Sequence, residues 1–252
     1  MEASKATTAD WIDQPAQLAS FIDHLGELKP FWTLLYLDIQ GDNVSPHGSV
    51  SVLSVSFFKE PCPFLIDVLT LGEKAFSTPG TQTGRTLKDI LESSEIKKAF
   101  FDVRSDAHAL YHNYGIRLGG VQDLQVMEVV VRESPDKRSL RSFEDIMLGD
   151  IGLDSTEEVQ AFQKTMERRK RLVGLGTGGQ NMFNQRPLPE DAATFCIFDV
   201  KFLHLMQFRL NDRLKRGEKD KVMTASKQWV EQGQAADFTG QGKYMALAPR
   251  GL

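Results

Sequence analysis

The sequence predicts an α/β fold in which a mixed five-stranded sheet is flanked by helices and followed by a C-terminal helical lobe. Residues 49–58 alternate between polar and apolar side chains, as a half-buried strand does. Three apolar segments with strand character come before the first strand–helix units, and this order indicates a mixed sheet. From residue 139 onward the periodicity is helical and is interrupted by Gly and Pro signals.

The spacing of apolar residues predicts the individual elements. Strands are predicted over 31–38, 49–58, 64–68, 99–103 and 120–124, with a turn at 41–43. Helices are predicted over 11–25, 71–76, 86–92, 106–114, 125–132, 139–149, 155–172, 189–215 and 219–234. We therefore divide the chain into an N-terminal tail and helix (1–30), a main domain (31–216), and a C-terminal helix with an extended tail (217–252).

The composition is that of an ordinary soluble globular protein, with 41% hydrophobic and 25% charged residues. The net charge of −4 gives no global attraction to nucleic acid, so a polyanion site must be a local basic patch. Cys62 and Cys196 lack metal-ligand spacing and fit a reducing compartment. The N-terminus does not resemble a signal peptide, and no apolar run approaches the ~20 residues of a membrane span. We expect a cytoplasmic or nuclear protein with no membrane association.

Residues 174–179 match the pattern Gly-x-Gly-x-x-Gly. That pattern marks a dinucleotide site only where a strand precedes it and a helix begins within it. Here a charged helical segment precedes it, and no helix is predicted to begin before Pro189. We therefore interpret these glycines as a flexible connection.

Three aspartates lie where the predicted elements can bring them together. Asp38 ends the first predicted strand, and Gln40, two residues later, points to the same face. Asp106 opens a predicted helix, and Asp199 lies in an otherwise apolar helix one turn after Phe195. Hydrolysis of a phosphodiester by two metal ions needs hard oxygen ligands around ions ~3.5–4 Å apart, and carboxylates supply such ligands for Mg²⁺.

Two of the three aspartates also have a ready structural explanation. Asp38 at a strand end can cap a turn, and Asp106 can be the N-cap of the helix that follows it. Asp199 is harder to explain in this way, because a buried carboxylate without a partner or a metal is costly.

The order and setting of these residues resemble the RNase D-like branch of the DEDD 3'-5' exonucleases, which carries Asp-x-Glu, then an Asp, then Tyr-x-x-x-Asp. The resemblance covers roughly residues 31–213 and points to the subgroup with Egalitarian-like members. Beyond the acids it is carried by segments 48–53, 110–116, 121–125 and 186–188. It implies an RNase H-like fold, an exonuclease-like domain over 31–216, and Mg²⁺ or Mn²⁺ as cofactor. By position it makes Asp38 the bridging metal ligand, Asp199 a ligand of the first ion, and Asp106 a ligand on the second ion's side.

Two positions depart from that pattern, since Gln40 replaces the Glu and Phe195 replaces the Tyr. An amide oxygen can coordinate Mg²⁺ but is neutral, so the site holds three negative charges instead of four. Phe195 lacks the hydroxyl that would position water, and such a loss typically lowers the rate ~10²–10⁴-fold. We therefore predict a catalytically impaired exonuclease-like protein that binds single-stranded nucleic acid, with RNA favoured over DNA.

Two other functions stay open at this point. One is an active, metal-dependent 3'-5' exonuclease that releases nucleoside monophosphates. The other is a protein-interaction scaffold or homodimer with no nucleic-acid role.

One basic cluster borders the Gly-rich segment and is the best candidate for tracking phosphates. It consists of Arg168, Arg169, Lys170 and Arg171. The alternatives are a solvated helical face or a weak nuclear-import signal. Acidic neighbours such as Glu167 make any binding salt-sensitive rather than tight.

Overall fold

The structure is a computed structural model that describes residues 9–27, 34–42, 49–58, 60, 62–153, 155–174, 181–249 and 251–252. The strands are β1 (Asp10–Ile12), β2 (Leu34–Asp42), β3 (Ser49–Phe57), β4 (Phe64–Ile66), β5 (Lys97–Phe100) and β6 (Val121–Asp123). The helices of the first half are α1 (Pro15–Glu27), α2 (Val68–Leu71), α3 (Lys74–Ser77), α4 (Leu87–Glu92), α5 (Arg104–Tyr114) and α6 (Leu124–Val131). The second half contains α7 (Phe143–Asp145), α8 (Thr156–Gly174), α9 (Glu190–Arg213) and α10 (Glu218–Gln234).

The strands form one mixed sheet in the order β1-β4-β3-β2-β5-β6. β2 pairs antiparallel with β3 and parallel with β5, so it lies in the interior of the sheet. The predicted mixed sheet flanked by helices is therefore confirmed, although it has six strands rather than five. The additional strand, β1, pairs in parallel with β4. Three residues are too few for an alternating pattern to show in the sequence.

Several predicted boundaries differ from the observed ones by a few residues. The first helix begins at Pro15 rather than residue 11, because β1 occupies the preceding positions. β2 continues through the predicted turn to Asp42, so Asp38 lies in mid-strand and does not cap a turn. The predicted helix over 139–149 is a short α7 that continues into a π-helical turn, Ile146–Ile151. Residues 31–33 and 175–180, which include most of the Gly-rich segment, lie outside the described residues.

Gly41 explains how β2 and β3 approach each other at the end of the hairpin. A Cβ atom at this position would lie 1.8 Å from the carbonyl oxygen of Ser49. Only glycine permits that separation, and the strand register shifts between Gln40 and Gly41. This irregularity directly follows Gln40, one of the predicted site residues.

The two faces of β2 pack into different hydrophobic clusters. Leu35, Leu37 and Ile39 belong to a cluster with residues of α1, α4 and α5. Tyr36 belongs to a second cluster, which contains residues of α6, α8 and α9. Because side chains alternate along a strand, Asp38 shares the face of Tyr36, on the side of α9. The fold thus brings the middle of β2 against the long helix that carries Asp199. No described helix is long and apolar enough to cross a membrane.

Candidate active site

A side-chain amide on β2 joins two of the predicted acids. The Nε2 of Gln40 donates to Asp38 Oδ2 at 2.5 Å and to Asp199 Oδ2 at 3.1 Å. Both oxygens bind the same nitrogen atom, so they lie within two hydrogen-bond lengths of each other. The structure therefore brings together a strand residue and a helix residue that the sequence only suggested could meet.

Asp106 approaches the same place from the first turn of α5. Its Oδ1 accepts a hydrogen bond from the backbone nitrogen of Ile39 at 3.2 Å, and Ile39 directly follows Asp38. Val103, not Asp106, occupies the N-cap position of α5. The N-cap explanation for Asp106 is therefore wrong, because α5 begins two residues earlier, at Arg104. The carboxylate of Asp106 is directed at β2 instead.

Asp199 has a second partner that the sequence did not indicate. Arg169, on α8, donates from Nη1 to Asp199 Oδ1. Because Gln40 donates to Oδ2, each carboxylate oxygen of Asp199 accepts a hydrogen bond from another side chain. This pairing answers how a carboxylate among apolar neighbours is stabilised without any added ion.

The other members of the basic cluster diverge around α8. Arg168 pairs with Asp191, Lys170 with Glu144, and Arg171 with Glu167 one turn earlier. Consecutive helical residues point ~100° apart, so four in a row cannot present one continuous surface. Arg169 is the member that contacts the acids. The role of the cluster in binding nucleic acid stays a prediction.

Phe195 lies one turn before Asp199 on α9, as predicted, and it is buried. Its ring belongs to a third hydrophobic cluster with residues that include Val52, Leu65 and Phe183. The Phe195 ring therefore has a packing role that does not depend on a hydroxyl group. Asn184, which follows Phe183 in the chain, accepts hydrogen bonds from the hydroxyls of Ser49 and Ser51 on β3.

The clustered carboxyls hold protons more tightly than isolated ones. Burial, and then the proximity of Asp199, raise the pKa of Asp38 to about 7, although Arg169 and the Gln40 amide oppose this. Burial and the neighbouring Asp38 raise the pKa of Asp106 well above its usual value. Burial also raises the pKa of Asp199 in spite of its bond to Arg169. Arg169 and the Gln40 amide thus do not fully offset the burial and mutual repulsion of the three carboxylates.

As arranged, these side chains do not fit a pair of divalent cations. Gln40 turns its N–H group, not its oxygen, toward the acids, and Arg169 uses an oxygen that a metal would need. Within the residues the structure describes, no group of three or more His, Cys, Asp or Glu is placed to hold a metal ion. Metal binding by Asp38, Asp106 and Asp199 stays a prediction.

The chain is similar in sequence to proteins of known families. A family model described as 3'-5' exonuclease matches residues 9–215. The mouse (Mus musculus) piRNA biogenesis protein EXD1 is 34% identical over 98 residues, which are 39% of this chain and only 16% of the mouse protein.

Solved structures support the fold over most of the chain. RNase D of Trypanosoma brucei matches with a TM-score of 0.67 and 24% identity, covering 93% of this chain and 76% of that one. Its complex with RNA U12 matches with a TM-score of 0.67 and 22% identity, over 94% and 76% of the two chains. At these identities the likeness shows the fold, and the predicted RNase H-like architecture is confirmed.

Proposed function

We propose that this chain, which belongs to the 3'-5' exonuclease family, is a catalytically impaired member that binds single-stranded nucleic acid, RNA in preference to DNA. One observation carries the proposal. The Gln40 amide donates N–H to the two carboxylates beside which an active relative would place a further carboxylate.

The chemistry of impairment follows from charge and from the missing hydroxyl. Two-metal hydrolysis depends on carboxylate oxygens that hold both ions close together. Gln40 removes one negative charge and occupies Asp38 and Asp199 with a proton donor. Phe195 has no hydroxyl with which to orient the attacking water. Both losses act on one assembly, so their effects on the rate need not add.

Binding of nucleic acid is supported by what similar proteins do. A matching RNase D structure contains RNA, and the EXD1 relative is named for piRNA biogenesis. A fold can keep a strand-binding cleft after its catalytic groups have changed, because backbone contacts and stacking do not need the metal ions. We extend this to single-stranded RNA here, with DNA as the weaker ligand. Homodimerisation would be compatible with this function.

An active exonuclease remains the second candidate, favoured by the convergence of Asp38, Asp106 and Asp199 at one place. It would require a divalent ion to displace Arg169 and the Gln40 amide from the carboxylates. Released nucleoside monophosphates in the presence of Mn²⁺ or Mg²⁺ would be its product.

A mobility-shift assay with labelled single-stranded RNA and DNA of equal length, in EDTA, tests the binding function. We expect a shift at ~50 mM salt that weakens as salt rises. Arg168→Gln with Arg171→Gln should make the salt dependence shallower, by up to ~0.7 in log–log slope per lost phosphate contact. Lys221→Gln with Lys227→Gln, at two exposed lysines of α10, is the matched control. Absence of a shift at low salt would contradict the function and favour the scaffold interpretation.

A further inference from the structure

Arg169 is directed at the acids by the way α8 packs. Phe162 and Met166 are buried, and Arg169 follows them at the spacing of one helix face, i, i+4 and i+7. The ring of Phe162 lies 5.3 Å from that of Phe198 and 5.2 Å from that of Phe202, both on α9. The face of α8 that packs on α9 therefore also carries an arginine.

Exposed ion pairs lie on either side of Arg169. Arg168 pairs with Asp191 near the start of α9, and Lys170 Nζ lies 2.5 Å from Glu144 Oε2 in α7. The neighbours of Arg169 thus pair with α9 and α7, and Arg169 is directed between them at Asp199. The planar guanidinium group is pre-organised, so it loses little conformational freedom for each hydrogen bond it forms.

The arginine occupies the outer side of the acid cluster. Its side chain is 34% exposed, whereas that of Asp199 is 10% exposed, so the guanidinium lies between the buried carboxylate and the solvent. Burial would lower the pKa of Arg169, but the charges of Asp199 and then Asp38 outweigh it and raise that pKa. The guanidinium group of an arginine is not deprotonated in proteins, so its charge cannot be removed by titration.

The geometry points to Arg169 as the resident cation of this site. It occupies the outer side of the Asp38–Asp199 pair, where the resemblance assigns a divalent ion, and closes that place to Mg²⁺ and Mn²⁺. With Asp199 Oδ1 bound to Arg169 and Oδ2 bound to Gln40, an entering ion would have to break a charged hydrogen bond first. This inference deepens the proposed function, because it makes the site independent of metal.

Titration of the metal alone tests the inference without nucleic acid, so its failure is separate from failure of RNA binding. Mn²⁺ is added to the wild type, Arg169→Gln and Lys164→Gln, with heats measured by calorimetry and Tm by thermal denaturation. Lys164 is an exposed cation on the same helix, and its variant removes the same charge away from the acids. We expect Arg169→Gln to bind Mn²⁺ about tenfold more tightly or better, with a rise in Tm. Lys164→Gln should bind Mn²⁺ no more tightly than the wild type does, and Mn²⁺ should raise the Tm of neither protein.

Two further variants keep the result decisive. Adding Asp199→Asn to Arg169→Gln should abolish the gain, and a gain that persists would place the ion elsewhere and overturn the inference. Arg169→Met retains the aliphatic stem and replaces Arg169→Gln if that variant fails to fold. Equal Mn²⁺ binding by the wild type and the Arg169 variant would overturn the inference. Absence of binding in both would also overturn it, because Arg169 would then not be what excludes the ion.

Discussion

The side-chain amide of Gln40 donates to Asp199 at 3.1 Å, although the two residues are 159 positions apart in the chain. The same nitrogen atom binds Asp38, so a neutral amide joins the strand acid to the helix acid. A glutamate at this position would instead place a third negative charge beside them. Gln40 thus places a neutral hydrogen-bond donor in contact with both acids.

Restoring the two missing groups should increase affinity for metal. Gln40→Glu combined with Phe195→Tyr removes the bridging N–H donor, adds a carboxylate and supplies a hydroxyl. We expect Mn²⁺ to bind about tenfold more tightly than to the wild type, and some cleavage of RNA to appear. Calorimetric titration measures the affinity. Gln207→Glu adds the same charge on α9, about two turns after Asp199, and should not increase the affinity for Mn²⁺. Unchanged affinity in the double variant would count against this map of the site.

The aromatic contact between α8 and α9 should be a major source of stability. Phe162 is 1% exposed and its ring contacts three phenylalanines of α7 and α9. Phe162→Ala leaves a cavity and should lower the free energy of unfolding by about 3–5 kcal/mol. Urea denaturation measures the change. Lys164→Ala, exposed on the same helix, should change it by less than about 0.5 kcal/mol. A similar small effect of Phe162→Ala would mean that α8 is not held by this contact.

A bidentate ion pair between Arg186 and Asp67 anchors the segment that precedes α9. Arg186 donates from Nε and Nη2 to the two oxygens of Asp67, at 2.7 and 2.5 Å, and also to the backbone oxygen of Ser51. Burial alone would raise the pKa of Asp67, but the bonds from Arg186 and Thr70 outweigh it and lower that pKa.

Arg186→Lys keeps the charge but cannot form the paired bonds, so we expect a loss of about 2–3 kcal/mol in the free energy of unfolding. Arg171→Lys makes the same substitution in an exposed ion pair and should be nearly neutral. Equal losses in the two variants, measured by urea denaturation, would contradict this structural role.

A buried lysine should make stability depend on pH. Lys98 is fully buried and its Nζ donates to the carbonyl oxygens of Ile90 and Ser93, at the C-terminal end of α4. Burial, and then the nearby Lys97, lower its pKa from 10.5 to about 7. Between these two values the unfolded chain binds a proton that the folded protein does not. Lys98 therefore makes the free energy of unfolding rise with pH in that window, by up to about 1.4 kcal/mol per unit.

Lys98→Met should flatten this rise, whereas Lys227→Met, at an exposed site, should leave it unchanged. Urea denaturation at several pH values from 7 to 10 gives the slopes. Parallel slopes for the wild type and Lys98→Met would show that Lys98 is charged in the folded protein throughout this range.

Spacing in the sequence predicts which site residues within one element share a face, but it does not predict that the elements meet. Asp38 and Gln40 are two positions apart on a strand, and Phe195 and Asp199 are one turn apart on a helix, so each pair has a defined direction. Asp106 was assigned only through the family pattern. Its carboxylate binds the backbone of Ile39, a contact 67 positions away that no local spacing encodes.

Arg169 shows what local patterns left out. It was grouped with its three basic neighbours because they are adjacent in sequence, although adjacent helical residues point in different directions. The spacing of Phe162, Met166 and Arg169 was available and indicates an arginine on the buried face of α8. What that arginine binds depends on the packing of α8 against α9, which only the structure shows.

Single-turnover digestion of RNA tests the proposed catalytic impairment most directly. Single-stranded RNA labelled at its 5' end is mixed with enough excess protein to bind all of it, in the presence of Mn²⁺. The length of the bound RNA is then followed over time. We predict full-length RNA bound to the protein, with no release of 3'-terminal nucleotides above a protein-free control. A ladder of shortened products that Asp38→Ala abolishes would contradict this, and would show that the acids cleave RNA despite Gln40 and Phe195.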